Sequence, residues 1–110
     1  MIVCVPVDDA GRVGPHWGRA AKVAVAKVTG GAITSWAEYP VGWDITHDAG
    51  SHGSHHARIV TFLREHAVEQ VVAGGMGPGM VQVTARMGLR VTLGADGDAR
   101  AAVLAAVAGA

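Results

Sequence analysis

Residues 69–94, EQVVAGGMGPGMVQVTARMGLRVTLG, change their periodicity twice, from strand to helix and back. EQVVAG and LRVTLG are short apolar runs that are typical of buried strands. Between them, apolar and small side chains recur along one helical stripe, at Met80, Thr84 and Met87. Pro78 suits the first turn of this helix, and Gly88 suits the position just after its end. A strand, a helix and a second strand in this order predict parallel pairing through a right-handed crossover.

The amino-terminal half predicts strands. MIVCVPV, residues 1–7, is a nearly continuous apolar run that we expect to be buried on both faces of a sheet. KVAVAKV and AITSWAEYPV are two more extended segments, and Gly30 and Gly31 between them suit a hairpin turn. Two further helices, in HHARIVTFLREHAV and DGDARAAVLAAVAG, complete the order β-β-β-α-β-α-β-α. This order predicts an α/β fold with a mixed five-stranded sheet, the first strand central and helices on its faces.

The length and composition of the chain exclude several classes of protein. A chain of 110 residues predicts a single domain, residues 1–110. Acidic and basic residues number nine each, so the basic face of a nucleic-acid binder is not expected. The lone cysteine, Cys4, excludes an internal disulfide and a cysteine-based zinc cage, and we expect it to be buried and inert. No apolar stretch approaches the roughly twenty residues of a membrane span, and the opening residues do not resemble a signal peptide. We therefore expect a soluble, cytoplasmic protein without a membrane or nucleic-acid partner.

A glycine-rich segment, GGMGPGM, follows the first strand of residues 69–94. Ligands of such sheets gather at the carboxyl ends of parallel strands. Glycine lets the backbone approach a ligand closely, and the free amides at the start of the next helix favour an anion. We therefore expect a cofactor site here, contributed by Gly75, Met76, Gly77 and Gly79. The alternative is a tight connection between strand and helix with no ligand.

A histidine-rich segment, HDAGSHGSHHARIV, begins at residue 47 and places four of the six histidines within ten positions. Near a helix amino terminus positive charge is disfavoured, which keeps imidazole in the uncharged form that binds zinc, iron, copper or nickel. The side chains expected to bind metal are those of His52, His55 and His56. We expect His47 and His66 to be ordinary surface residues. Whether the helix begins at His52 or later is left open, and the alternative for the whole segment is a solvated turn.

The segment GPHWGRA, residues 14–20, follows the first strand and can reach the same edge of the sheet. His16 can ligate a metal, and Arg19 can neutralise an anionic ligand. Alternatively, Trp17 fills the core and Arg19 pairs with Asp8 or Asp9.

Together these segments resemble the dinitrogenase iron–molybdenum cofactor-binding family, which includes nitrogenase cofactor carriers and the molybdenum–copper orange proteins. GPHWGRA is similar to the family's His-Phe-Gly-Arg-Ala, with Trp17 in place of phenylalanine. VVAGGMGPGM followed by MGLRVTLGA is similar to the family's glycine-rich turn and closing strand. The resemblance extends over nearly the whole chain.

The resemblance implies a ribonuclease-H-like fold without nuclease action, which holds or delivers an anionic metal–sulfur cluster. His16 matches the family's histidine and is the implied cluster contact. The histidine-rich segment resembles one found in some single-domain members. The chain lacks the second domain of several nitrogenase proteins and any cysteine-rich segment, so the resemblance does not tie it to nitrogenase.

We expect a non-catalytic carrier of an anionic cluster, of iron–molybdenum or molybdenum–copper type, that exchanges it with a donor or acceptor protein. The glycine-rich segment, Arg19 and imidazoles would hold the cluster. The alternative is a zinc or iron ion bound by the histidine-rich segment, in a regulatory protein or a metal-assisted hydrolase. A nuclease is the least favoured class, since it needs several carboxylates and only Asp8 and Asp9 lie near the end of the first strand.

Overall fold

The computed structural model describes residues 1–47 and 52–109, without the side chain of His52. Its five strands are β1 (Ile2–Pro6), β2 (Lys22–Thr29), β3 (Ala32–Pro40), β4 (Gln70–Val72) and β5 (Arg90–Thr92). They form one sheet in the order β3-β2-β1-β4-β5. β1 pairs antiparallel with β2 and parallel with β4, and β4 pairs parallel with β5. The predicted mixed sheet with a central first strand is confirmed.

The helices are α1 (Trp43–Thr46), α2 (His52–Glu65), α3 (Pro78–Arg86) and α4 (Ala99–Ala108), and a single 3₁₀ turn lies at Trp17–Arg19. Helix α2 begins at His52, the earlier of the two starts that the sequence left open. Helix α1 was not predicted, because four residues are too few to show a helical period. No helix among the described residues is long and apolar enough to cross a membrane.

The residues predicted to form turns and to bound helices do so in the structure. Gly30 and Gly31 have φ of 60° and 78°, and these positive values suit the tight turn between β2 and β3. Pro78 is the first residue of α3, and Gly88, with φ of 73°, follows its end. Asp98 caps α4, since its carboxylate accepts a hydrogen bond of 2.9 Å from the amide of Ala101.

The core has two layers, one on each face of the sheet. Cys4 faces one layer, which contains Ile59 and Leu63 of α2. Val3 and Val5, its neighbours on β1, face the other layer and α4. Burial on both faces explains the uninterrupted apolar run of β1. Because β1 and β4 pair in parallel, their carboxyl ends lie side by side, and the loops that follow these strands meet at one edge of the sheet.

Candidate functional site

The loop after β1 is bound directly to the loop after β4. The amide of Trp17 donates a hydrogen bond of 2.9 Å to the carbonyl of Gly75. His16 forms an isolated parallel bridge with Gly75, which continues the parallel pairing of β1 and β4 beyond the strands. The sequence placed both residues at this edge, and the structure makes them neighbours.

Two glycines permit this close approach. A Cβ atom on Gly74 would lie 3.0 Å from the carbonyl oxygen of Pro15, and one on Gly75 would lie 3.2 Å from the same atom. Neither glycine has a positive φ, so close packing and not backbone conformation requires them. A side chain at Gly74 would push the segment that carries His16 away from β4.

Trp17 belongs to the core as well as to the site. Its side chain is 0% exposed, and its ring contacts that of Trp43 edge to face, with 5.2 Å between centroids. The indole Nε1 is buried without a hydrogen-bond partner. A buried donor left unpaired costs about 1–3 kcal/mol. The alternative in which Trp17 fills the core is therefore correct. Its indole Nε1 remains without a hydrogen-bond partner.

Arg19 does not form the alternative ion pair. Within the described ranges, Asp9 pairs with Lys22 at 3.5 Å instead. The carboxylate of Asp8 accepts hydrogen bonds of 2.9 Å from the amides of Arg12 and Ala10. The bond from Arg12 contributes most to lowering the pKa of Asp8, which is an exposed turn residue. The side chain of Arg19 is exposed.

The two loops enclose a cavity of about 380 Å³, called the arginine cavity below. Its lining residues in the described part of the chain include no carboxylate and are His16, Trp17, Gly18, Arg19, His47, Gly75, Met76 and Gly77. Its side chains are thus a guanidinium, two imidazoles, an indole and a thioether. Such a lining favours an anion over a cation.

A second cavity, of about 250 Å³, adjoins the first at the start of α2 and is called the histidine cavity below. Its lining residues are Gly18, His47, His55, His56, Gly77, Pro78, Gly79 and Met80. The two cavities share Gly18, His47 and Gly77. Gly79, which the sequence grouped with the anion site, lines the histidine cavity, where a Cβ atom would lie 2.7 Å from Cε1 of His56.

His55 is the most deeply buried histidine of the described residues, with 3% of its surface exposed. Its Nε2 lies 2.8 Å from the carbonyl oxygen of Gly18. Because a carbonyl oxygen only accepts, Nε2 carries the hydrogen and donates it. The other ring nitrogen, Nδ1, is buried without a partner. With the hydrogen on Nε2, the neutral ring presents a lone pair at Nδ1.

His47 is not the ordinary surface residue that we expected from the sequence. It is half-buried, lines both cavities and lies with its ring centroid 5.1 Å from that of His55. The His56 ring is 6.3 Å from His55. Periodicity did not reveal the role of His47, because α1 and not α2 brings it to the site.

His66 is also half-buried, but away from both cavities. Its ring packs on Phe62 and Tyr39, with 4.3 Å and 4.6 Å between centroids. It is therefore a packing residue at the end of α2.

Two of the expected site residues remain to be placed, Met76 and His52. Met76 lines the arginine cavity, but its sulfur lies 3.9 Å from the hydroxyl of Thr84, which donates to it weakly. The side chain of His52 lies outside the described part of the structure. Among the described residues, no group of three or more His, Cys, Asp or Glu side chains is arranged to hold a metal ion.

A third cavity, of about 300 Å³, lies beside the same loop and also touches His16 and Arg19. Asp8, Asp9 and Lys22 line it too. Lys22 also pairs with Glu38 at 3.3 Å, and the hydrogen bond that Lys22 donates to Glu38 contributes most to raising the pKa of Lys22. Two carboxylates at its edge make this cavity a poorer anion site than the arginine cavity.

The fold and site define an α/β binding protein whose anion-favouring cavity lies at the carboxyl edge of a mixed sheet. The chain belongs to the dinitrogenase iron-molybdenum cofactor family, whose model matches residues 1–109. Membership supports a cofactor-related binding role. The curated proteins contain no match to this chain.

Two solved structures share the fold. The apo form of the orange protein from Desulfovibrio gigas has a TM-score of 0.79 and 22% identity, over 98% of this chain and 88% of that one. The crystal structure of PH0822 has a TM-score of 0.76 and 22% identity, over 99% of this chain and 91% of that one. At this level of identity, the likeness concerns the fold alone.

Proposed function

We propose that the protein is a non-catalytic carrier that holds an anionic metal–sulfur cluster in the arginine cavity. The observation that carries this proposal is the lining of that cavity, which combines Arg19, two imidazoles and glycine backbone, with no carboxylate among the described residues. An anion is attracted by the guanidinium, and the sulfur-bridged metals of a cluster accept imidazole as a terminal ligand.

Each proposed contact has a distinct role. His16 would ligate the cluster from the rim, and Arg19 would offset its negative charge. The backbone of Gly75 and Gly77 lets the cluster approach closely, because no side chain intervenes. Met76 would contact it through the flexible thioether side chain.

The start of α3 adds a further attraction. Gly77 caps the helix and Pro78 is its first residue, so the next amides, beginning with Gly79, have no acceptor within the helix. The positive end of the helix dipole lies at Gly77, which lines the arginine cavity. Both the arginine side chain and the helix terminus therefore favour negative charge there.

The same features argue against catalysis. Asp8 is bound to backbone amides and Asp9 to Lys22, so neither is part of a carboxylate cluster that would hold catalytic magnesium. We also assign the sheet to the ribonuclease-H-like class, supported by its strand order and by β2, which pairs antiparallel with both β1 and β3. The fold is used here for binding. A donor or acceptor metalloprotein is the partner that a carrier requires.

The cargo is either an iron–molybdenum or a molybdenum–copper cluster, and direct analysis distinguishes the two. Untagged protein is purified anaerobically from its native host, and molybdenum, iron, copper and acid-labile sulfide are measured together with the visible spectrum. We expect molybdenum and sulfide in a fixed ratio to protein. Protein that carries neither, and whose apo form does not bind tetrathiomolybdate, would refute the proposal.

Site variants test the location. His16→Ala should weaken tetrathiomolybdate binding by at least about tenfold, because a lost imidazole should cost no less than a lost supporting contact of a metal site. His66→Ala removes a histidine outside both cavities and serves as the control. Magnesium-dependent cleavage of RNA or DNA that disappears in an Asp8→Asn, Asp9→Asn double variant would favour a nuclease instead.

The second candidate function is metal-ion binding by the histidine-rich segment, with His52, His55 and His56 as proposed ligands. The observation that favours it is the unpartnered Nδ1 of His55.

A further inference from the structure

We infer that the histidine cavity is a separate site for one transition-metal cation, and that His55 and His47 are its protein ligands, His55 through Nδ1. This inference is independent of the cluster proposal. It concerns the neighbouring cavity, deepens the second candidate function and requires no sulfide; of its two ligands, His47 also lines the arginine cavity.

The first argument is the state of His55. Its Nε2 hydrogen is donated to the carbonyl of Gly18 at 2.8 Å, and its Nδ1 is buried with a lone pair and no partner. Metal-bound histidines commonly donate the opposite ring N–H to a backbone carbonyl, which fixes the ring and makes the binding nitrogen more basic. His55 already has that arrangement. A buried acceptor without a partner is unfavourable in the folded protein, and a bound cation would satisfy it.

The second argument is the position of His47. Two imidazoles that share a tetrahedral zinc ion through bonds of about 2.0 Å have ring centroids about 5 Å apart. The centroids of His47 and His55 lie 5.1 Å apart, and their planes are inclined at 77°. The His56 ring, at 6.3 Å from His55, is farther than this arrangement requires. The spacing of the two rings thus matches that of imidazoles sharing one ion.

The third argument is the chemistry of the lining. No carboxylate of the described residues lines the histidine cavity, and its imidazoles do not suit magnesium and calcium, which require oxygen ligands. Uncharged imidazoles suit zinc and the neighbouring late transition metals. Among the described residues, no third side chain is in position to complete the coordination of the ion.

His55→Gln is the matched variant. The glutamine amide nitrogen can take the place of Nε2 and donate to Gly18, whereas nothing replaces Nδ1. Zn²⁺ is titrated calorimetrically into the apo protein, without molybdenum or sulfide. We expect one Zn²⁺ per chain and an affinity at least tenfold lower in His55→Gln and in His47→Gln. His66→Gln, which removes a histidine outside the cavity, should bind like the wild type, and Mg²⁺ should not bind.

Nitrogen-15 NMR of the wild-type histidines tests the same inference without a variant, should His55→Gln fail to fold. On addition of Zn²⁺, the Nδ1 resonance of His55 should shift while Nε2 keeps its proton. Absence of stoichiometric Zn²⁺ binding, unchanged affinity in a folded His55→Gln protein, or loss of the Nε2 proton to the metal would each overturn the inference. Failure of tetrathiomolybdate binding alone would refute the cluster proposal and leave this one standing.

Discussion

Substitution of Gly74 by alanine should separate the two loops that form the arginine cavity. The added Cβ atom would lie 3.0 Å from the carbonyl oxygen of Pro15, 3.2 Å from its Cα and 3.4 Å from the carbonyl oxygen of Ala95. All three are backbone atoms, so no side-chain rotation relieves the contact. Overpacking of this kind typically costs about 1–3 kcal/mol.

Gly77→Ala is the matched control. Both substitutions restrict the unfolded chain equally, a stabilisation of about 0.4–1 kcal/mol that cancels in the comparison. A Cβ atom on Gly77 would have nothing within 4 Å, and its φ of −64° is accessible to alanine. At the helix cap, the exchange of glycine for alanine has only a small effect. The difference between the two variants therefore isolates the steric contact with Pro15.

The free energy of unfolding is measured for both variants by urea denaturation followed by tryptophan fluorescence. We expect Gly74→Ala to be less stable than Gly77→Ala by about 1–3 kcal/mol, and to unfold at a temperature lower by about 4–12 °C. The displaced loop carries His16, so tetrathiomolybdate binding should weaken as well. Equal stability of the two variants would refute the argument that the close approach of the loops requires glycine here.

Three further predictions concern single side chains. Arg19→Gln should weaken tetrathiomolybdate binding by about tenfold or more, because a hydrogen bond to a charged group contributes about 1.5–3 kcal/mol. The control is Arg12→Gln, outside the arginine cavity, which should bind normally in the same spectroscopic titration. Equal losses of affinity in the two variants would indicate a nonspecific charge effect. The amide of Arg12 lowers the pKa of Asp8 in the folded protein. The carboxylate therefore stabilises the fold at pH values above the pKa that Asp8 has in the unfolded chain, and this stabilisation is lost as the pH falls through the lower pKa that it has in the folded protein. Wild type should therefore lose more stability than Asp8→Asn when urea unfolding is repeated below about pH 4, and parallel pH profiles would contradict this. Burial raises the pKa of the Cys4 thiol, so a thiol reagent should react with unfolded but not with native protein, and rapid labelling of the native state would show that the strand opens.

Much of the fold follows from short-range patterns in the sequence. The apolar run of β1, the paired glycines of the hairpin and the proline and glycine that bound α3 each act locally, and the structure confirms them. Helix α1 escaped notice because its start depends on Gly42, whose φ of 64° has no counterpart in a periodic pattern.

The site was less predictable because its contacts are between distant segments. The sequence identified His16 and the glycine-rich segment separately, but the hydrogen bond between Trp17 and Gly75 arises only from the packing of β1 against β4. His47 was assigned to the surface because nothing in its neighbouring residues indicates that α1 turns it toward His55. The ion pair of Asp9 likewise depends on a distant residue, Lys22, which is the first residue of β2.

The burial of Cys4 has a consequence for how a carrier of this kind would release its cargo. This is the chain's lone cysteine, and it lies at 0% exposure in the central strand. A cluster held here would therefore have no thiolate bond to the protein, and its retention would depend on charge and on exchangeable imidazole bonds. An acceptor that offers a thiolate would form the stronger bond and draw the cluster away without ATP or a reductant. The direction of transfer would then be set by the ligand chemistry of the recipient, and oxidation of cellular thiols would leave the carrier itself unaffected.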